Sequence, residues 1–253
     1  ETLSEEYLDL VALGTVTDLV PLIGENRALV RAGLDCIHQP RRQGILSLIG
    51  VSGLNPRTIT AGDIAFMLGP RLNAAGRLES ALASFNLLLT SDVAEAARYA
   101  QQLNNQNNER QRITREIQAR AEELVFSTTP DPILLFAADP DFNPGVVGLA
   151  ASRLTELYYR PAIVASQGPE FTRGSCRSIS EFHITAALDQ CADLLHHYGG
   201  HAAAAGFTVY THLLPEFIDR LQQIAIHQIG SLDLHPVLEI DATVELTDLR
   251  ADL

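Results

Sequence analysis

The sequence contains no lysine: all 18 of its Lys+Arg residues are Arg. Any permanent cationic contact therefore falls to guanidinium groups, which are suited to bidentate phosphate contact. A general preference for arginine explains the same bias, so the placement of the arginines has to decide. Cysteine is nearly absent, with Cys36, Cys176 and Cys191 far apart. So odd and sparse a set argues against a disulfide framework or a zinc site and fits a reducing compartment. All three are expected to be small buried hydrophobes. No apolar run approaches the roughly 20 residues that span a bilayer. Nothing at the start resembles a signal peptide. The chain opens on Glu1 rather than Met, which reads as an opening inside something longer.

What is there is 253 residues, 46% of them hydrophobic, enough for one large domain or two medium ones. The net charge of −13 argues, taken alone, against a nucleic-acid partner.

The first third reads as helical. Helices are expected over Glu5 to Val16, over Asn26 to Ile37, and from Thr60-Ala-Gly-Asp63 to a stop near Gly69-Pro70. A hydroxyl cap with an acid three residues on favours that third start. Ser80 to Leu89 reads as another short helix. Ser91 then caps a run without Gly or Pro from Asp92 to about Phe126. So polar a helix reads as a strut between packed bodies. After the turn-rich Thr128-Thr-Pro-Asp-Pro132, a strand (Ile133 to Phe136), a helix (Pro144 to Leu157) and a strand (Ala162 to Ala165) make a βαβ unit with parallel pairing. A strand over Glu170 to Ser178, a helix over Ile184 to His196, a strand over Gly206 to Tyr210 and a helix over Leu214 to Ile229 follow. Val237 to Val244 alternates like a strand. The fold class is α/β with a mixed sheet behind a mainly helical first part.

Four segments could carry chemistry. In Gly69-Pro-Arg71-Leu-Asn73-Ala-Ala-Gly76-Arg77, two arginines flank small residues that let a ligand approach the backbone. The alternative is a helix–loop joint with two solvated arginines. In Arg173-Gly174-Ser175-Cys176-Arg177-Ser178, strand periodicity puts Ser175 and Arg177 on one face, a hydroxyl beside a guanidinium. The alternative is an exposed edge-strand face. Gly199-Gly200-His201-Ala-Ala-Ala-Ala205-Gly206 offers a tight turn with free N–H groups, an anion nest with His201 at its mouth. The alternative is a helix end and a packed turn. Asp18, between apolar stretches, is either a helix-end residue or a metal ligand. Two-metal phosphodiester hydrolysis needs several carboxylates and histidines around ions about 4 Å apart, and one aspartate cannot supply them.

Together these segments resemble the RecJ family of single-strand-specific exonucleases, within the DHH/DHHA1 phosphoesterases. Tyr7 to Leu22, with Asp18, is similar to the family's fourth catalytic motif. Gly69 to Arg77 is similar to the signature before the connecting helix. Pro144 to Leu154, Gly174 to Ser178 and Gly199 to Gly206 resemble three blocks of a DHHA1 domain. The resemblance implies the end of a DHH domain at 1–90, a connecting helix at 91–127, a DHHA1 nucleic-acid-binding domain at 128–230 and the start of an OB-like domain at 231–253. It implies a fragment of a 5′-to-3′ single-stranded-DNA exonuclease of repair and recombination, using Mn²⁺ or Mg²⁺ as two ions in the full-length parent. DNA would thread a cleft between the two domains. Asp18 would bind metal, and Asp18 and His201 would be the catalytic residues. Arg71, Asn73, Arg77, Gly174, Ser175, Arg177, Ser178, Gly199, Gly200 and His201 would hold substrate phosphates. The implied partners are single-stranded DNA with a 5′ phosphate, single-strand-binding protein and a RecQ-type helicase, for a cytoplasmic monomer.

The chain departs from the pattern in two respects. The upstream aspartate motifs and the Asp-His-His triplet are absent, so this segment is expected to be inactive by itself. Phe142-Asn143 stands where the family has Trp-His. Two other readings stay open: a smaller DHH/DHHA1 phosphoesterase acting on oligonucleotides or cyclic dinucleotides, and a non-catalytic nucleic-acid-binding module.

Overall fold

The computed structural model describes residues 5–78, 80–238, 240 and 242–245. The chain divides into two compact units. One comprises residues up to 119 together with 143–147; the other comprises residues 120–142 and those from 148 onward.

The described part of the first unit is helical. A 3₁₀ turn over Glu5–Tyr7 leads into α1 (Leu8–Thr17), followed by α2 (Gly24–His38) and α3 (Gln43–Val51). Apolar residues from these helices, among them Leu13, Val16, Ile37, Ile45 and Leu48, close a core with Leu87 and Leu103. Next comes α4 (Ala61–Asp63), opened by a full capping box: the Asp63 N–H donates to the Thr60 hydroxyl, and the Thr60 N–H donates to the Asp63 carboxylate. The Thr60 N–H and the Thr60 hydroxyl, both donating to that carboxylate, hold the Asp63 carboxyl below its ordinary range.

The expected stop at Gly69-Pro70 does not occur. The helix passes through a π segment, Ile64–Leu68, directly into α5 (Gly69–Leu78). Pro70 has no N–H to donate, and it follows a stretch whose wider turns relieve the ring's clash with the preceding carbonyls. After α6 (Leu82–Leu89) comes α7 (Val93–Thr128). Its cap is Asp92 rather than Ser91, because the Asp92 carboxylate accepts from the Glu95 N–H at 2.8 Å. Ala96, Ala100, Leu103 and Asn107 are buried at helical spacing, so a narrow stripe suffices to dock so polar a helix.

The second unit is a five-stranded sheet with helices. Its strands are β1 (Leu135–Asp139), β2 (Ala162–Gln167), β3 (Phe171–Arg177), β4 (Leu195–Gly200) and β5 (Ala204–Tyr210), in the order β1-β2-β3-β5-β4. β1 and β2 are parallel around α8 (Val147–Tyr158), as the βαβ pattern requires, and the other pairs are antiparallel. One face of β3 and β5 packs Cys176, Ala205, Phe207 and Val209 against α9 (Ile184–Asp189) and α10 (Leu214–Ile229). Phe207 and Phe217 meet at 4.8 Å between ring centroids.

Three expectations fail here. The helix over Ile184 to His196 ends at Asp189, and residues 195–200 form β4. Gly199 and Gly200 are poor helix residues, and pairing with β5 recruits the segment into the sheet. Val237 to Val244 holds no strand among its described residues, where no neighbour pairs with it. Cys176 and Cys191 are buried, but Cys36 is only partly so.

Candidate phosphate-binding site

In the second unit, β3 alternates as its sequence demands. Thr172, Gly174 and Cys176 turn to the core, while Phe171, Arg173, Ser175 and Arg177 take the other face. Ser175 and Arg177 are thus brought together. The start of α8 lies against them: a Cβ added to Gly148 would sit 3.3 Å from both Ser175 Oγ and an Arg177 terminal nitrogen. Arg177 Nη1 donates to the Cys176 carbonyl at 2.8 Å, which fixes the plane of the guanidinium.

The floor beside this pair is bare. Ser175 pairs with Gly206, and Gly206 with Gly199, so the row continues across β5 and β4 without side chains. Nothing lies within 4 Å of a Cβ added to Gly199, so packing does not require a glycine there. Gly200 differs: its φ is +155°, and a Cβ would run into the backbone of Ala204 and Ala205. Both glycines belong to β4, not to a tight turn, so the expected nest is instead a shelf at the sheet edge.

The turn between β4 and β5 is tied down. The His201 N–H donates to the Ala204 carbonyl at 2.7 Å, and the Thr185 hydroxyl donates to the His201 carbonyl at 2.7 Å. Arg177 pairs with Ala204, which puts the exposed His201 at the Arg177 end of the sheet. Ser178 spends its hydroxyl on the Phe182 carbonyl at 2.6 Å. Gly174 faces the core, where a Cβ would strike the Phe207 ring. Their visible roles are support and packing.

In the first unit, Asp18 follows the end of α1 and is exposed. Its N–H donates to the Gly14 carbonyl at 3.0 Å, and Leu19 after it adopts a left-handed φ of 57°. Thr17 packs against Gly69, the first residue of α5, so Asp18 and Arg71 flank one helix junction. Arg71 is half-buried. Its Nε donates to Asn104 at 3.0 Å and its Nη1 to the Met67 carbonyl at 2.6 Å, and burial pulls its pKa below the usual arginine value. Asn73 and Arg77 are exposed. On a helix of 3.6 residues per turn, Arg71 and Arg77 point about 120° apart. They are not the paired clamp that a loop would have made. The sequence reading missed Asn104, whose only signal was a polar residue within a polar helix.

Among the described residues, no group of three or more His, Cys, Asp or Glu side chains could hold a metal ion. Asp18 supplies one carboxylate, so these residues alone do not fit a divalent-metal centre. None of the described helices is long and apolar enough to cross a membrane.

Residues 131–227 match the DHHA1 domain, which defines the class of the second unit. Over 252 residues the chain is 38% identical to the single-stranded-DNA-specific exonuclease RecJ of Bacillus subtilis, covering 99% of this chain and 32% of that protein. It is 35% identical to the Escherichia coli RecJ over 98% of this chain and 46% of that one. The crystal structure of Thermus thermophilus RecJ in complex with Mg²⁺ superposes with a TM-score of 0.80 at 37% identity, over 88% of this chain and 35% of that one. An exonuclease RecJ bound to manganese gives 0.76 at 36% identity, over 91% and 58%. The chain is RecJ-like, and it spans less than half the length of these two curated relatives.

Proposed function

We propose that the chain is the phosphate-gripping part of a metal-dependent exonuclease that degrades single-stranded DNA from a 5′-phosphorylated end. One observation carries the proposal: Ser175 and Arg177 share a sheet face, close under Gly148 of α8, beside a floor of bare glycine backbone. In this arrangement Ser175 donates its hydroxyl to a terminal phosphate oxygen. Arg177 forks onto two others, and charge-assisted bonds of this kind are roughly twice as strong as neutral ones. His201 takes a further phosphate contact at the same end of the sheet. Clamping the terminal phosphate holds the next phosphodiester at a fixed distance along the chain, which is how positioning accelerates hydrolysis. Asp18 is assigned as one ligand of a divalent-metal set whose other members are not grouped with it among the described residues. DNA repair and recombination are the setting this reading implies.

The test is Arg177→Ala in an active full-length parent, assayed on matched 5′-phosphorylated and 5′-hydroxyl single strands. The variant should lose most of its rate on the phosphorylated strand and little on the hydroxyl strand. Equal losses on both would refute the assignment.

A further inference from the structure

The face that carries Ser175 and Arg177 continues along β3, and its far end holds a cluster of rings. Phe171 stacks on His196 at 5.1 Å between centroids and meets Tyr210 at 4.7 Å. His196 stacks on Tyr210 at 5.7 Å, and His212 lies 5.7 Å from Tyr210. The strand register explains the grouping: Phe171 pairs with Tyr210, and β4 has a bulge between Leu195 and His197 that turns His196 to this face. Unlike the buried Phe207–Phe217 pair, these rings meet water: His196, Tyr210 and His212 are exposed, and Phe171 is half-buried.

Between the rings and the phosphate shelf lie Arg173, paired with Thr208, and His197, also paired with Thr208; both are exposed. β3, β4 and β5 contain Arg173, Arg177, His196 and His197 and no acidic residue, in a chain with 31 acids and a net charge of −13. Acids border the face at Glu170, before β3, and at Asp139 of β1, whose row runs through Ser166 to Arg173 and whose carboxylate lies 3.5 Å from Arg120. The sheet face is therefore cationic at Arg173 and Arg177, aromatic at one end, and open.

We propose that Phe171, His196, Tyr210 and His212 form a base-stacking platform for a single-stranded DNA whose 5′ phosphate is held at Ser175 and Arg177, with Arg173 between them on the backbone. The proposal rests on the reading of Ser175–Arg177 as the terminal-phosphate site. Six strand steps separate Phe171 from Arg177, about 20 Å at 3.3 Å each. That length corresponds to about six nucleotides of a stacked strand at 3.4 Å each, or fewer if the strand is stretched. Exposed rings interleaved with arginine are what sequence-independent single-strand binding uses, because every base has a face to stack.

The experiment uses this chain and two 3′-labelled, 5′-phosphorylated oligothymidylates: a dinucleotide, and one of about ten nucleotides, longer than the span just given. Binding is read by fluorescence anisotropy for wild type, Tyr210→Ala, Tyr210→Phe and Arg177→Ala. Tyr210→Ala should weaken the longer strand about tenfold, the loss of one stacked base, and leave the dinucleotide unchanged. Tyr210→Phe should bind like wild type. Tyr210→Trp supplies the chain's sole tryptophan, and its emission should be quenched by the longer strand and not by the dinucleotide. If Arg177→Ala weakens both ligands while Tyr210→Ala changes neither, the platform is refuted and the phosphate site stands. If Arg177→Ala changes neither ligand, the phosphate-site reading fails, and the platform with it. Equal weakening of both ligands by Tyr210→Ala marks a distorted sheet and also overturns the platform.

Discussion

Replacing Gly148 by alanine should leave stability unchanged or slightly raised while damaging the proposed phosphate site. Gly148 is the second residue of α8, and alanine is the better helix former. Near a helix start the gain is at the low end of the usual range, about 0.5 kcal/mol. The new methyl would lie 3.3 Å from Ser175 Oγ and from an Arg177 terminal nitrogen, where each neighbour must give by a few tenths of an ångström. The methyl also occupies the space from which a phosphate would reach both donors. Losing a charge-assisted hydrogen bond costs about 1.5–3 kcal/mol, which is roughly ten- to a hundredfold in affinity. Thermal unfolding should thus show an unchanged or slightly raised midpoint. Anisotropy titration should show a loss of that size for a 5′-phosphorylated oligonucleotide and almost none for its 5′-hydroxyl counterpart. A variant that binds the phosphorylated strand as wild type does would refute the placement of the phosphate under α8. A variant that unfolds several degrees earlier would mean that Gly148 is there for packing.

Three further predictions concern the support of the site. Gly174→Ala should destabilise the second unit by about 1–3 kcal/mol, because its methyl overlaps the Phe207 ring; denaturant titration measures it. Asp63→Ala should cost stability at neutral pH and progressively less in acid. The Asp63 carboxyl titrates below its ordinary value when folded, so its contribution is present above about pH 4 and is lost as the pH falls through the lowered value; unfolding curves of both proteins at neutral and acid pH provide the comparison. The Cys176 thiol, buried and pushed up to about 12, should resist alkylation in the native state at mildly alkaline pH and react only on unfolding, as mass spectrometry after iodoacetamide would show.

The two halves of the site were not equally legible in the sequence. Ser175 and Arg177 could be placed together because strand alternation has a period of two and does not depend on neighbours. The capping box at Thr60 and Asp63 was readable for a similar reason, since its bonds are made within four residues. Failures came where a local irregularity or a distant partner decides. Gly69-Pro70 reads as a helix stop, and only the π segment before it lets the helix continue. His196 to Gly200 follows a helical stretch in sequence, and only the ladder with β5 makes it a strand. That one error hid the ring cluster, because His196 cannot meet Phe171 from a helix. It also turned the Gly199-Gly200 shelf into an imagined nest.

An acidic chain and an anionic ligand conflict only if charge is counted over the whole molecule. Around the second-unit site the count is different. Arg173 and Arg177 lie on one face of β3, flanked by strands that carry no acid. Strands are generally poor in Asp and Glu, so their absence alone is weak support. Several arginines elsewhere are held in ion pairs of their own. Arg112 bridges Glu109 and Glu116, Arg120 reaches Glu123 and Asp139, and Arg220 reaches Asp193 and Glu216. At about 8 Å of screening in physiological salt, a terminal phosphate responds to the groups within one Debye length and hardly to acids beyond it. On the proposed function, a surplus of acids elsewhere would repel nucleic acid from other surfaces and leave the arginine face as the place where a single strand settles.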